Sequence, residues 1–412
     1  MIAATTRKFP PLWKNRDYLL LWIGQAISVL GSQVSQLAFP LLVLALTGSP
    51  AQAGFVAAAR SVPWLLFVLP AGALVDRWER KVVMIVCGAS SALALGSIAV
   101  AYAFGALTIA QIVAVSFIEG TFALVFGLAE TSALPQVVSR AQLPAAIAQQ
   151  QAQYSLGGLL GPPLGGALYG VGAMLPFIVD AASYACSACS LPFIRASFGG
   201  QTVAARRSLR AEIGEGIAWL WRQPLIRYMA FLTGAINFTG GIGLILIVFA
   251  QRQGASPATI GAIFALAGAG GLIGALLAPR VQRRLSFGQA IIGLCWCSVA
   301  IFAAFAMANS LALVAGILVV YFLISPTYDT VQYSYRLALI PDALQGRVNS
   351  VFRLVAQGTR PLGLALTGVS IERLGVSGTT LALCGWLLVI AVATTLNAHV
   401  RRAPALAEVG AD

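Results

Sequence analysis

The chain alternates between apolar runs of about 20 residues and short polar connectors, and no other feature restricts its fold as strongly. A helix of that length spans the hydrocarbon core of a bilayer, which is roughly 30 Å thick. Only 9% of the 412 residues are charged and 59% are hydrophobic, whereas a soluble domain carries about 25% charged residues. The pattern excludes a soluble enzyme and predicts an all-α polytopic membrane protein.

Turn residues and charges divide the chain into two groups of six predicted crossings. The first group covers residues 18–46, 52–75, 82–104, 107–131, 145–171 and 174–194. The second group covers residues 226–250, 257–278, 288–308, 311–335, 347–370 and 377–399.

The stretch between the two groups contains apolar residues at helical spacing, opposite two glutamates. This arrangement is typical of a helix that lies in the membrane interface. The residues are Ile213, Ile217, Leu220 and Trp221, opposite Glu212 and Glu215. We therefore expect an N-terminal six-helix bundle at residues 1–195, a cytoplasmic linker at 196–225 and a C-terminal six-helix bundle at 226–412.

The 26 Lys and Arg residues are distributed unevenly among the connectors. One side of the predicted membrane holds 21 of them and the other side only Arg252 and Arg373, while Arg60, Arg353 and Arg360 lie within crossings. Cytoplasmic loops retain positive charge, so both termini and the linker are predicted to be cytoplasmic. This asymmetry explains the net charge of +13 without a nucleic-acid partner. Arg outnumbers Lys 23 to 3, which hints at a GC-rich bacterial genome and hence a bacterial plasma (inner) membrane.

The sequence gives no indication of a metal or a cofactor. All six cysteines lie inside apolar runs, which argues against a disulfide framework. His399 is the single histidine and cannot form a ligand set alone, and no phosphate-binding P-loop is present. We expect a monomer that uses no cofactor and does not hydrolyse ATP.

Short segments of the first half recur in the second half in the same order. Ser49-Pro50-Ala51 recurs as Ser256-Pro257-Ala258, an offset of 207, and Pro163-Leu164-Gly165 recurs as Pro361-Leu362-Gly363, an offset of 198. Tyr18 with Gly24 recurs as Tyr228 with Gly234. This spacing predicts a duplicated six-helix unit with a substrate path between the two copies.

The connector after the second crossing reads Gly-Ala-Leu-Val-Asp-Arg-Trp-Glu-Arg-Lys at residues 72–81. It resembles the signature of the major facilitator superfamily, except that Glu79 stands where a glycine is usual. Residues 12–49 and 346–363 are similar to the branch of enterobactin exporters and macrolide-efflux pumps. The resemblance covers nearly the whole chain and implies a secondary transporter, not an enzyme, in which two pseudo-symmetric bundles work by alternating access.

The resemblance also implies a cytoplasmic latch at this connector. Asp76, followed by Arg77 of the signature, would face the start of the eleventh crossing. Arg80 would bridge to Glu130 at the end of the fourth crossing, and Gly72 would let two helices approach closely. Charges that merely flank helices remain the alternative interpretation.

The fifth crossing carries a run of small residues and prolines that resembles the antiporter signature of the superfamily. Its matching positions are Gly157, Gly161, Pro162, Gly165 and Gly166. The resemblance implies export rather than uptake. Close helix packing explains the small residues equally well.

Three acidic residues lie within predicted crossings, where an ionisable group is costly and therefore a functional candidate. Removal from water favours the protonated form of a carboxyl group, so each could carry a proton. Glu119 in the fourth crossing is the first choice, and Asp329 in the tenth is the second. Asp180 lies early in the sixth crossing, which the resemblance makes peripheral, so a structural role is favoured for it. Alternatively, Arg60, Arg353 or a hydroxyl group neutralises Glu119.

Basic and polar residues within or beside crossings are candidates for the substrate cavity. The arginines could pair with the acids or meet an anionic substrate, and the aromatic residues could contact a large amphiphile. Helix packing and polar helix ends explain the same residues. The candidates are Arg60, Arg353, Arg360, Gln149, Gln153, Asn237 and Tyr328.

These features predict a proton-coupled exporter of an amphiphilic small molecule, such as a drug, a macrolide or a siderophore-like metabolite. One charge moving through 100 mV provides about 2.3 kcal/mol, which supports roughly fortyfold accumulation. The alternatives are a lysophospholipid or other lipid transporter, a proton-coupled uptake carrier, and a membrane sensor or scaffold with a transporter-like body.

Overall fold

A computed structural model describes residues 10–75, 77–196, 198, 209–341 and 344–403 of the chain. Every secondary-structure element of these residues is a helix, which confirms the all-α prediction. Nine helical segments of the described part are long and apolar enough to cross a bilayer.

The first half of the chain forms six long helices at the predicted crossings. They are α1 (Arg16–Thr47), α2 (Pro50–Val75), α3 (Arg80–Ala103), α4 (Ile109–Val137), α5 (Leu143–Val171) and α6 (Leu175–Ser190). Short 3₁₀ turns lie at Leu12–Lys14 and Leu191–Phe193.

The second half begins with a short helix at the predicted linker and continues with eight further helices. They are α7 (Leu209–Arg222), α8 (Pro224–Asn237), α9 (Ile242–Arg252), α10 (Pro257–Arg284), α11 (Phe287–Ala306), α12 (Leu311–Leu339), α13 (Gln345–Gly358), α14 (Arg360–Leu396) and α15 (Ala398–Arg401).

Two predicted crossings of the second half are interrupted. The crossing expected at 226–250 is divided between α8 and α9 at residues 238–241, where Gly240 and Gly241 provide little helix propensity. The crossing expected at 347–370 breaks between α13 and α14, just before Pro361, which has no backbone N–H to continue the ladder. Helix α14 itself turns at Gly375, whose φ of 71° and ψ of 179° are not helical. The eleventh and twelfth predicted crossings therefore meet at this glycine.

The repeated Ser-Pro-Ala segments begin a helix in both halves. The Ser49 hydroxyl accepts a hydrogen bond from the N–H of Gln52 at the start of α2. The Ser256 hydroxyl does the same for Thr259 at the start of α10. A serine cap followed by proline is a strong helix start, so the repeated sequence has the same structural role in both places.

The chain divides into two compact units. Unit 1 comprises the described residues of Met1–Phe39 and Ala59–Val203, and unit 2 comprises those of Pro40–Ala58 and Ala204–Asp412. The end of α1 and the start of α2 thus group with unit 2, although the sequence analysis assigned them to the N-terminal bundle. Within unit 2 the Ser49 hydroxyl donates to Glu372 Oε2 over 2.5 Å, and the Ala51 N–H donates to the same oxygen over 3.1 Å.

The linker helix α7 packs on α13 in unit 2. Arg347 Nη1 lies 2.6 Å from Glu215 Oε2, and a Cβ atom at Gly216 would lie 2.8 Å from the backbone oxygen of Arg347. Leu220 is buried, whereas Ile217 and Trp221 are exposed. The apolar face of α7 is therefore only partly covered within the described part of unit 2.

Candidate functional site

Unit 1 contains an ion pair deep between its helices. Arg60 on α2 forms a two-point salt bridge with Glu119 on α4. The distance from Nε to Oε2 is 2.5 Å and that from Nη2 to Oε1 is 2.8 Å. The Glu119 side chain has no exposed surface and that of Arg60 is 23% exposed. This parallel two-point geometry is the strong form of an arginine–carboxylate pair. Glu119, the first choice for the proton carrier, is thus neutralised by Arg60, which is one of the alternatives given in the sequence analysis.

A chain of hydroxyl groups continues from Glu119. Tyr184 on α6 donates its hydroxyl to Glu119 Oε1 over 3.1 Å. Ser32 on α1 lies 2.9 Å from the Tyr184 hydroxyl and 2.9 Å from the backbone oxygen of Ser28. Three hydrogen-bond donors therefore converge on the Glu119 carboxylate.

Asp180 on α6 belongs to the same buried region. Its side chain is fully buried, and Oδ2 lies 2.5 Å from the hydroxyl of Ser35 on α1. The Ser183 hydroxyl donates to the backbone oxygen of Asp180 over 2.7 Å and lies 3.3 Å from Oδ1. Asp180 has no ion pair within 4 Å among the described residues, and its nearest partners are hydroxyl groups.

Two glycines allow the helices to approach closely enough to build this site. A Cβ atom at Gly120 would lie 3.0 Å from the carbonyl carbon of Arg60, so α2 and α4 touch beside the ion pair. A Cβ atom at Gly31 would lie 2.8 Å from Ser183 Cβ and 2.9 Å from Asp180 Oδ1, so α1 and α6 touch beside the second acid. Close backbone approach at glycine is a general device for packing helices in membranes.

Arg60, Glu119 and Asp180, together with the hydroxyl residues Ser32, Ser35 and Tyr184, are called the buried network below. One guanidinium and two carboxyl groups carry one net negative charge when all three are ionised. An uncompensated charge is strongly unfavourable in a buried membrane protein core. The buried network is neutral when it holds one proton. It can therefore bind and release a proton without any covalent chemistry.

The structure places only part of the predicted latch. Asp76 lies outside the described residues. Arg80 and Glu130 are both buried, but the structure shows no ion pair between them, and Glu130 lies beside the amide of Gln150. Among the described residues, nothing lies within 4 Å of a Cβ atom built at Gly72, so the close approach expected there stays a prediction. Arg77 is exposed.

The antiporter-like segment packs α5 against α1. A Cβ atom at Gly157 would lie 2.8 Å from Val29 Cγ1, and one at Gly161 would lie 3.0 Å from the carbonyl carbon of Gln33. A Cβ atom at Gly165 would meet the backbone of Val34 in the same way. Pro162 lies within the helix and Gly166 is buried. The small residues therefore form a continuous packing stripe, which leaves the implication of export as a proposal.

The glutamines of α5 tie helices together. Tyr18 on α1 donates its hydroxyl to Gln149 Oε1 over 2.7 Å. The side-chain amide of Gln153 donates to the backbone oxygen of Trp22 over 2.7 Å, and Gln153 is buried. Both contacts hold helices together, at residues that the sequence analysis gave as candidates for the substrate cavity.

Two cavity candidates of unit 2 also have packing contacts. Asn237 donates to the backbone oxygen of Ala356 over 2.8 Å, and the hydroxyl of the buried Tyr328 lies 2.9 Å from that of Thr233.

The charged candidates of unit 2 are more accessible. Asp329, Arg353 and Arg360 all have exposed side chains. Asp329 and Arg360 both lie within electrostatic range of the Tyr321 hydroxyl. Asp329 belongs to unit 2, whereas the buried network belongs to unit 1.

The sequence analysis missed the hydroxyl residues and glycines that complete the buried network. Ser35, Tyr184, Gly31 and Gly120 are residue types found throughout the apolar runs, so nothing in their local pattern distinguishes them. The spacing of the serines along α1 is the one local pattern that points to this site. Ser28, Ser32 and Ser35 lie on one face of α1, which marks a polar stripe on an otherwise apolar helix.

Comparison with known proteins agrees with this architecture. Residues 6–411 match the family described as "Transmembrane secretion effector". The chain is 29% identical over 409 residues to the multidrug efflux pump Tap of Mycolicibacterium fortuitum, covering 94% of this chain and 97% of the relative. It is 30% identical over 380 residues to Tap of Mycobacterium tuberculosis, covering 88% and 89%. It is 22% identical over 395 residues to the enterobactin exporter EntS of Escherichia coli, covering 93% of each.

Solved structures share the fold at low sequence identity. The nucleoside transporter NupG superposes with a TM-score of 0.74 at 16% identity, covering 92% of this chain and 98% of that one. A bacterial homologue of the iron transporter ferroportin, in its inward-facing state, gives 0.72 at 15% identity, covering 94% and 100%. The chain therefore belongs to the transmembrane secretion effector family of the major facilitator superfamily (MFS_3) and is a membrane transporter rather than an enzyme.

Proposed function

We propose that this protein exports an amphiphilic small molecule in exchange for protons, by alternating access and as a monomer. Relatives that align with nearly the whole chain are named as a multidrug efflux pump and an enterobactin exporter. Their alignment over both halves supports the same overall activity here. Export also agrees with the antiporter-like segment of α5.

The buried network carries the proton part of this proposal. Its two carboxyl groups are fully buried beside the guanidinium of Arg60, and the set is neutral only with one proton bound. Proton binding and release therefore change the charge of the unit 1 core by a full unit. A transporter that must couple substrate movement to a proton needs such a group.

The proposed orientation places both termini and the linker in the cytoplasm of a bacterial plasma membrane. The distribution of Lys and Arg supports it, because 21 of the 26 lie on one side of the predicted crossings. In this orientation the connector with Asp76 is cytoplasmic and can act as the proposed latch.

Everted membrane vesicles test the function directly. Respiration acidifies their interior, so a proton-coupled exporter concentrates its substrate inside and releases protons outside. Accumulation of macrolides, siderophores and cationic dyes is measured with and without a protonophore, in vesicles with and without the protein. Protonophore-sensitive accumulation of at least one compound is expected.

Two outcomes would contradict the proposal. Substrate loss from the vesicles under the same gradient would indicate uptake in the cell rather than export. Accumulation that is unaffected by the protonophore would remove the proton coupling. Thermal stabilisation by lysophospholipids, with no response to any drug or siderophore, would favour a lipid transporter.

A further inference from the structure

Resting on the proposed function, we propose that Asp180 is the residue that binds and releases the transported proton, and that Arg60 and Glu119 form a fixed ion pair beside it. The sequence alone favoured Glu119 for this role and a structural role for Asp180. The geometry of the buried network reverses that assignment.

Glu119 is unsuited to hold the proton because the three groups that contact its carboxylate all donate hydrogen bonds to it. It receives two contacts from the guanidinium of Arg60 and one from the hydroxyl of Tyr184. Arginine stays protonated in proteins, so protonation of Glu119 would leave a buried cation without its partner. A carboxylate that accepts three hydrogen bonds, two of them charge-assisted, is held in its ionised state.

The serine contacts of Asp180, in contrast, accommodate a protonated carboxyl group. Ser35 has one hydroxyl proton but two neighbouring acceptors, the backbone oxygen of Ser32 at 3.2 Å and Asp180 Oδ2 at 2.5 Å. A serine can donate to only one of them. Both contacts are satisfied when Ser35 donates to Ser32 and a protonated Asp180 donates to the Ser35 oxygen. The 2.5 Å distance fits a hydrogen bond in either direction, and the Ser35→Ala experiment below distinguishes the two directions.

Ser183 does not supply the missing donor. Its hydroxyl lies 2.7 Å from the backbone oxygen of Asp180, and the contact with Oδ1 is longer, at 3.3 Å. The single proton of Ser183 is therefore used mainly on the backbone. An ionised Asp180 would have only hydroxyl donors and no cation of its own, whereas a protonated one has the Ser35 oxygen as an acceptor.

The charged surroundings of Asp180 agree with this assignment. Glu119 on α4 and Tyr184 on α6 face it, with Arg60 on α2 as the nearby cation. Helix α1 contributes the hydroxyl of Ser35, and no ionisable group of α3 or α5 acts on Asp180 among the described residues. Arg60 is already engaged by Glu119, so Asp180 remains the uncompensated acid of the buried network.

The exchange step is a simple proton transfer. The O–H bond of Asp180 breaks, the proton passes to water on the cytoplasmic side, and the network becomes negative by one charge. Proton uptake from the outer side restores the neutral state. No oxidant, reductant or metal is needed.

Replacement of Ser35 tests the direction of the hydrogen bond. If protonated Asp180 donates to Ser35, then Ser35→Ala removes an acceptor of the acid and lowers its affinity for the proton. The midpoint of the pH–transport profile then shifts to lower pH by about one unit, or tenfold in proton concentration, which corresponds to one hydrogen bond. Ser28→Ala is the matched control, because Ser28 lies on the same helix and its hydroxyl makes no hydrogen bond to the buried network among the described residues. A shift of the Ser35→Ala midpoint to higher pH would overturn the proposal.

A measurement of proton release distinguishes Asp180 from Glu119 as the proton carrier. Purified protein in weakly buffered detergent solution is mixed with a substrate identified in the vesicle assay, and the released protons are counted with a pH indicator. Wild-type protein is expected to release protons, Asp180→Asn to release none, and the double variant Arg60→Gln/Glu119→Gln to release them even where its transport rate falls. The double variant keeps the site electrically neutral, so it avoids an unpaired buried arginine.

The outcomes distinguish this inference from the proposed function. If the wild-type protein releases no protons, the proposed proton coupling fails. If the wild-type and Asp180→Asn proteins both release protons, the coupling stands and the assignment to Asp180 is wrong. Loss of release in the double variant together with its retention in Asp180→Asn would assign the proton to Glu119.

Discussion

Removing one partner of the Arg60–Glu119 pair should destabilise the protein in a way that depends on which partner is removed. Glu119→Gln leaves a permanent cation in the core, since arginine keeps its proton, and breaking a buried pair costs about 3–5 kcal/mol. Arg60→Gln leaves Glu119, which can take up a proton and become neutral. The remaining cost is then that of poorly paired polar groups, about 1–3 kcal/mol.

The two variants should also differ in their pH dependence. In Arg60→Gln, the folded protein can neutralise Glu119 only by binding a further proton there. The folded state then binds more protons, so the stability of this variant relative to wild type falls as pH rises, by at most about 1.4 kcal/mol per pH unit. Glu119→Gln leaves Arg60 beside Asp180, the proton-exchanging acid of the buried network, so its loss should not increase as pH rises.

Unfolding by sodium dodecyl sulfate in mixed micelles measures these free energies, with the fluorescence of the 8 tryptophans as the signal. The double variant Arg60→Gln/Glu119→Gln completes a double-mutant cycle and should lose less than the sum of the single changes. Equal and pH-independent losses in both single variants, with additive behaviour in the double variant, would refute the buried ion pair.

Three further predictions concern other parts of the chain. Gly31→Ala pushes a Cβ against Asp180 and Ser183 and should cost about 1–3 kcal/mol of unfolding free energy, whereas Gly96→Ala, which faces open space, should cost nothing in the same assay. Gly375 has φ 71° and ψ 179°, a region almost reserved for glycine, so Gly375→Ala should cost about 1–3 kcal/mol of unfolding free energy. Gly385→Ala is the control, and an unfolding midpoint of Gly375→Ala that is unchanged and equal to that of the control would contradict this reading of the turn. Asp76→Asn should abolish substrate accumulation while the amount of protein in the membrane stays normal, and wild-type transport rates in that variant would remove the proposed latch.

The positions of most helices could be predicted because hydropathy and length are local properties of the sequence. Each apolar run must form its own backbone hydrogen bonds in lipid, so a run of sufficient length becomes a helix. Caps such as Ser49 and Ser256 also follow from local chemistry. The breaks at residues 238–241 and between α13 and α14 were not predicted, because a glycine or proline inside an apolar run does not by itself end a helix. The turn at Gly375 lies in the connector predicted between residues 370 and 377.

The pairing of charges could be predicted only in part. Three basic and three acidic groups within crossings suggested mutual neutralisation, and the Arg60–Glu119 pair follows that pattern. The place of Asp180 was not predictable, since it depends on the close contact of α1 and α6 at Gly31, which brings Ser35 to the acid. The expected bridge between Arg80 and Glu130 rested on resemblance, and the structure places Gln150 beside Glu130 instead.

Infrared difference spectroscopy tests the central claim most directly, because a protonated carboxyl group has a C=O stretching band distinct from that of a carboxylate. Spectra of the purified protein at low and high pH are subtracted for wild type, Asp180→Asn and Glu119→Gln. The account predicts a band of a buried carboxylic acid that is present in wild type and lost in Asp180→Asn. A band that survives in Asp180→Asn and disappears in Glu119→Gln would contradict it.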